Sequence, residues 1–94
     1  MPLDSPDQII KVAPDSNVKK VAAAIAYSVG KSDSATVHAI GAGAVNQAAK
    51  SVAIARGMVA SKGRDLWCRI GWATVSHDTE DKDISVIVFL CTAK

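Results

Sequence analysis

The residue pattern predicts an α/β two-layer sandwich of βαβαββ order, with two helices on one face of a four-stranded mixed sheet. Three observations carry that prediction. Apolar residues recur at helical spacing in two separate stretches, each preceded by a short β-rich run. The last third of the chain holds two further β-rich runs around a polar turn, which is the pattern of a hairpin. The 94 residues suffice for one domain, and a hydrophobic content of 49% excludes a disordered chain.

Residues 1–8 read as a flexible N-terminal tail and 9–94 as a single domain. Ile9-Ile10-Lys11-Val12 reads as the first strand, stopped by Pro14. Asp15, Ser16 and Asn17 then offer N-cap side chains. Val18, Val21, Ala22, Ile25 and Val29 form one apolar stripe and predict a helix near 17–29, ended by Gly30. Lys20, Tyr27 and Lys31 fall on its solvent face. Ser34 to Ile40 reads as the second strand, and Gly41-Ala42-Gly43 turns the chain. The second helix is expected near 44–59, with an inner stripe of Val45, Ala48, Val52, Ala55 and Val59. Asn46 and Lys50 point outward, and so do Ile54 and, obliquely, Met58.

Leu66 to Val75 and Ile84 to Cys91 are the hairpin strands around the turn Ser76 to Asp83. A turn centred between Thr79 and Glu80 sets Cys68 opposite Cys91 and Ile70 opposite Phe89. Leu66, Cys68, Ile70 and Trp72 then share one face, and Trp67, Arg69, Ala73 and Val75 the other. Both faces are largely apolar. Two helices cover only one of them, so the chain is expected to associate with itself as a dimer or tetramer.

The composition excludes several classes. A formal charge of +2 argues against a densely basic coat, though charge gathered on one face still serves a phosphate partner. Two cysteines are too few for a disulfide scaffold or an all-cysteine zinc site. The polar start, Met1 to Asp7, has neither the basic nor the apolar region of a secretion signal. No apolar run reaches the roughly 18 residues of a membrane span, so no membrane partner and a cytoplasmic location are expected.

The Gly-rich turn into the second helix is the most suggestive feature. A helix N-terminus presents free amides and a partial positive charge, which suits a phosphate. Asn46 stands where a dinucleotide fingerprint needs its third glycine, and no Gly-Lys-Ser/Thr marks a P-loop. A tight turn that uses glycine for backbone freedom explains the same residues. Lys19 and Lys20 open the first helix and Lys50 lies one turn beyond Asn46, where they suit phosphate contacts or simply face solvent. No nucleophile or acid–base constellation appears, so no catalytic residue, no metal and no cofactor are assigned. His38 reads as a packed sheet histidine, and His77 lies in the hairpin turn. The acidic turn Asp78 to Asp83 lacks the glycine and the closing glutamate of a calcium loop.

The stretch from Ala39 to Gly57, AIGAGAVNQAAKSVAIARG, closely resembles the signature of the stage V sporulation protein S family. Ile9-Ile10-Lys11-Val12, then Asn17-Val18 and an alanine-rich helix, resemble it too, and the likeness runs from Ile9 to about Leu90. The resemblance implies the Alba-like fold, similar to the C-terminal domain of translation initiation factor three. It also implies dimers and a regulatory role in sporulation with DNA or RNA as partner. Gly41, Gly43 and Gln47 stand where Alba proteins typically carry basic residues, while Arg56 keeps one near the helix end. The turn that corresponds to Alba's basic arm is acidic here, so that arm's contacts do not transfer to this chain.

The nucleic-acid contacts expected from these readings are Lys19, Lys20, Gly41, Gly43, Asn46, Gln47, Lys50 and Arg56. A protein-interaction or scaffold module is the alternative, supported by outward Ile54, the two-sided hairpin and the acidic turn. A phosphate-ligand sensor built on the Gly-rich turn is another.

Overall fold

A computed structural model describes residues 9–76 and 83–94. The expected tail, His77 and most of the acidic turn lie outside the described residues. The elements run β1 (Ile9–Val12), α1 (Val18–Ser32), β2 (Ser34–Ala39), α2 (Ala42–Ala60), β3 (Leu66–Ser76) and β4 (Asp83–Ala93). The sheet order is β1-β2-β4-β3, with β1 and β2 parallel and the other pairs antiparallel. This is the predicted mixed sheet in βαβαββ order.

Strand alternation divides the residues between two faces. Val12, Val37, Phe89, Cys91 and Leu66 are buried under the helices, together with Ile25 and Val29 of α1. Small residues let α2 come close, since Ala44, Ala48, Ser51 and Ala55 are all essentially inaccessible. The Ser51 hydroxyl donates to the Gln47 carbonyl at 2.7 Å, which satisfies the buried polar group. Cys68 pairs with Cys91 and Ile70 with Phe89, the register expected from the hairpin's alternation.

Both helices depart from the expected bounds. Gly30 does not end α1, which runs on to Ser32. Asp33 takes the left-handed position instead, at φ 65°, and its amide bonds the Val29 carbonyl at 2.8 Å. Aspartate tolerates that conformation better than most residues, and here its carboxylate accepts from Arg64 Nη2 at 2.6 Å. Arg64 also donates to the carbonyls of Ala93 and Val29, tying the end of α1 to β4.

The helix α2 starts at Ala42, two residues before the expected 44, because Gly41 is its N-cap at φ 88° and ψ 159°. Ile54 does not stand free on the outer face: it is partly buried and packs against the core. The buried side of α2 is wider than a single stripe, because the helix meets both α1 and the sheet. Met58 remains exposed at 37%.

Candidate nucleic-acid interface

Asn17 caps α1, its Oδ1 accepting from the amides of Lys19 at 3.0 Å and Lys20 at 3.1 Å. That leaves both lysine side chains exposed on the first turn. Ser16 Oγ closes the preceding loop by accepting from the Ala13 amide at 2.8 Å. The same loop is held against the start of α2 by two contacts. Gln47 Nε2 donates to the Ser16 carbonyl at 3.0 Å. A Cβ built on Gly43 would stand 3.1 Å from Pro14 Cβ, so a glycine lets the loop lie close.

The Ser16–Gln47 bond and the Pro14–Gly43 approach therefore bring the N-termini of α1 and α2 close together, with Lys19 and Lys20 exposed on the first turn of α1. Val45 is the first α2 amide bonded to a backbone carbonyl, that of Gly41 at 3.0 Å. The amides of Ala42, Gly43 and Ala44 precede it, as the first amides of any helix do. Their partial positive charge adds to that of the lysines.

The other expected contacts are distributed unequally. Asn46 is exposed on the first turns of α2 and donates weakly to Gln47 Oε1 at 3.5 Å. The Gln47 amide is already engaged by Ser16, so it holds the loop. Lys50 is exposed further along α2. Arg56 is 14 residues beyond Ala42, about 20 Å along the axis, and is not brought to this edge. Its Nε pairs with Asp65 Oδ1 at 3.2 Å. No helix is long and apolar enough to cross a membrane among the described residues.

A family model of stage V sporulation protein S matches residues 8–94. The chain belongs to the stage V sporulation protein S family. Among solved structures it is similar to Alba from Thermoplasma volcanium, with a TM-score of 0.61 at 15% identity, covering 90% of this chain and 99% of that one. Likeness at that identity speaks for the fold alone, and the fold is Alba-like. The family's central signature spans the end of β2, the Gly41 cap and most of α2, and within it Gly43 and Gln47 are the residues that hold the loop against α2.

Sequence reasoning left one cationic surface without a role. Trp67 and Arg69 lie on the sheet face away from the helices, where a hollow of about 360 Å³ is lined by Trp67, Arg69, Leu90, Thr92 and Lys94. The hairpin alternation placed Trp67, Arg69 and Leu90 on this face; Thr92, paired with Trp67, and Lys94 complete the hollow.

Proposed function

We propose that this member of the family is a non-enzymatic nucleic-acid-binding regulatory protein, working in the cytoplasm as a dimer or higher oligomer. The observation that supports this reading most is the approach of two helix N-termini, with Lys19 and Lys20 exposed on the first turn of α1. Each helix terminus contributes about 0.3–1 kcal/mol toward an exposed anion. The lysines add contacts that neutralise phosphates without reading bases. Asn46 and Lys50 extend the surface along α2, while Gly41, Gly43 and Gln47 hold its shape. Arg56 would contact only a ligand long enough to follow the helix.

A second reading, a protein-interaction module, draws on the hairpin. Ile70 and Trp72 are 70% and 73% exposed, on the helix-side face but beyond the reach of the helices. Titration of labelled duplex and single-stranded oligonucleotides at two salt concentrations separates the readings. Binding that weakens steeply with salt is the expected result. No binding of either form at low salt would leave the interaction module as the better account.

A further inference from the structure

Outside the helix edge, the sheet has a second face that the helices leave uncovered. Its residues follow from the register. One row across the strands is Ser34, Thr92 and Trp67. The next is Ile9, Thr36, Leu90 and Arg69, and the third is Lys11, His38, Val88 and Gly71. In these rows every charged side chain is basic: Lys11 stands on one edge strand and Arg69 on the other. Lys94, just past β4, joins Trp67 and Arg69 around the same hollow. Among the described residues, no ion pair engages Lys11, Arg69 or Lys94.

Trp67 is 61% exposed, which is a large apolar ring left on a cationic surface. That combination suits a chain that is anionic along its backbone and flat and aromatic along its bases. Duplex DNA offers the first but keeps its bases stacked inside. Unpaired nucleotides offer both, and base–aromatic stacking tolerates any sequence because every base has a π-face. A second copy of this chain fits poorly, since two such faces meeting would set like charges against each other. Adjacent strands are ~4.8 Å apart, so Lys11 and Arg69, three strand spacings apart, flank a path of about 14 Å.

We propose that this face is a platform for single-stranded nucleic acid, with a base stacked on Trp67 and phosphates held by Arg69, Lys94 and Lys11. The proposal rests on the reading that the protein binds nucleic acid, and adds a second surface with its own preference for unpaired strands. Arg69 and Trp67 are two residues apart on one strand, about 6.6 Å, so one nucleotide can reach both. The hydroxyls of Ser34, Thr36 and Thr92 on the same rows are free to meet sugar or base edges without imposing a sequence.

The test uses the full chain and a fluorescently labelled oligothymidylate beside a labelled duplex, read by anisotropy, for wild type and the variants Trp67→Ala, Trp67→Phe and Arg69→Ala. Trp67→Ala is expected to weaken the single strand about tenfold and leave the duplex unchanged. Trp67→Phe should keep most of the affinity, because a phenyl ring still stacks. Arg69→Ala should weaken the single strand and flatten its salt dependence. In a Trp72→Phe background, oligothymidylate should quench the remaining tryptophan emission, a signal that a merely structural Trp67 would not produce. Unchanged single-strand affinity in Trp67→Ala, with a loss in Lys19→Ala/Lys20→Ala, would overturn the platform while keeping the helix edge. Equal losses for both nucleic acids, or loss of self-association in Trp67→Ala, would also overturn it. If wild type binds neither form, the general reading falls as well.

Discussion

Cys68 and Cys91 face each other across β3 and β4 with their sulfurs 2.7 Å apart. The hydrogen bond between them divides their chemistry. The thiol of Cys91 holds Cys68 below the ordinary thiol range, against the opposing effect of burial. The same bond, reinforced by burial and by the charge on Cys68, pushes Cys91 well above that range. A lowered thiol pKa means thiolate at lower pH, and the thiolate is the nucleophile. Cys68 should therefore alkylate with iodoacetamide at a lower pH than a free cysteine, with Cys91 untouched. Cys91→Ala removes the hydrogen-bond partner and leaves only burial, so the Cys68 profile should move to higher pH. Peptide mass mapping across a pH series checks this, and modification of Cys91 first would contradict it. The pairing itself was legible in the alternation of the two strands. The difference between the two thiols was not, because it rests on the close contact of the two sulfurs, which strand alternation alone does not give.

At the level of elements, the hairpin register was readable because both strands alternate over many residues, and a slip by one would exchange every side chain between faces. Helix ends were harder. Gly30 is a plausible terminator by type, but Arg64, 31 residues beyond Asp33, supplies the partner that stabilises a later end. The early start of α2 has a local cause that sequence alone leaves ambiguous. Gly41 adopts φ 88° and ψ 159°, a region essentially confined to glycine. Gly41→Ala should therefore lower stability by about 1–3 kcal/mol in urea denaturation, although nothing stands within 4 Å of the added methyl. An unchanged midpoint would mean that the chain enters α2 without this conformation. Of the expected contacts, those on the first turns of α1 and α2 come near one another because Gln47 reaches Ser16 across 31 residues. That long-range bond is what a reading of local pattern misses, and it gives Gln47 a role in fastening the loop to α2.

For the molecule as a whole, the distribution of surface chemistry separates three regions. Apolar side chains protrude from the helix-side half of the hairpin at Ile70 and Trp72, which fits self-association. The wild type is expected to scatter light as a dimer or larger, and Ile70→Ser with Trp72→Ser to shift it toward the 9.8 kDa monomer without loss of folding. A wild-type monomer at high concentration would contradict that. Lys19, Lys20 and Lys50 on the helices and Lys11, Arg69 and Lys94 at the uncovered sheet face are six of the eleven basic residues, so a net charge of only +2 remains compatible with a phosphate partner. The central claim is that the helix edge binds nucleic acid through phosphates, and the salt dependence of affinity tests it most directly. Comparing wild type with Lys19→Ala/Lys20→Ala on one labelled duplex, the slope of log affinity against log salt should flatten by about two units, with weaker binding for every sequence tried. An identical slope and affinity in the double variant would contradict the account.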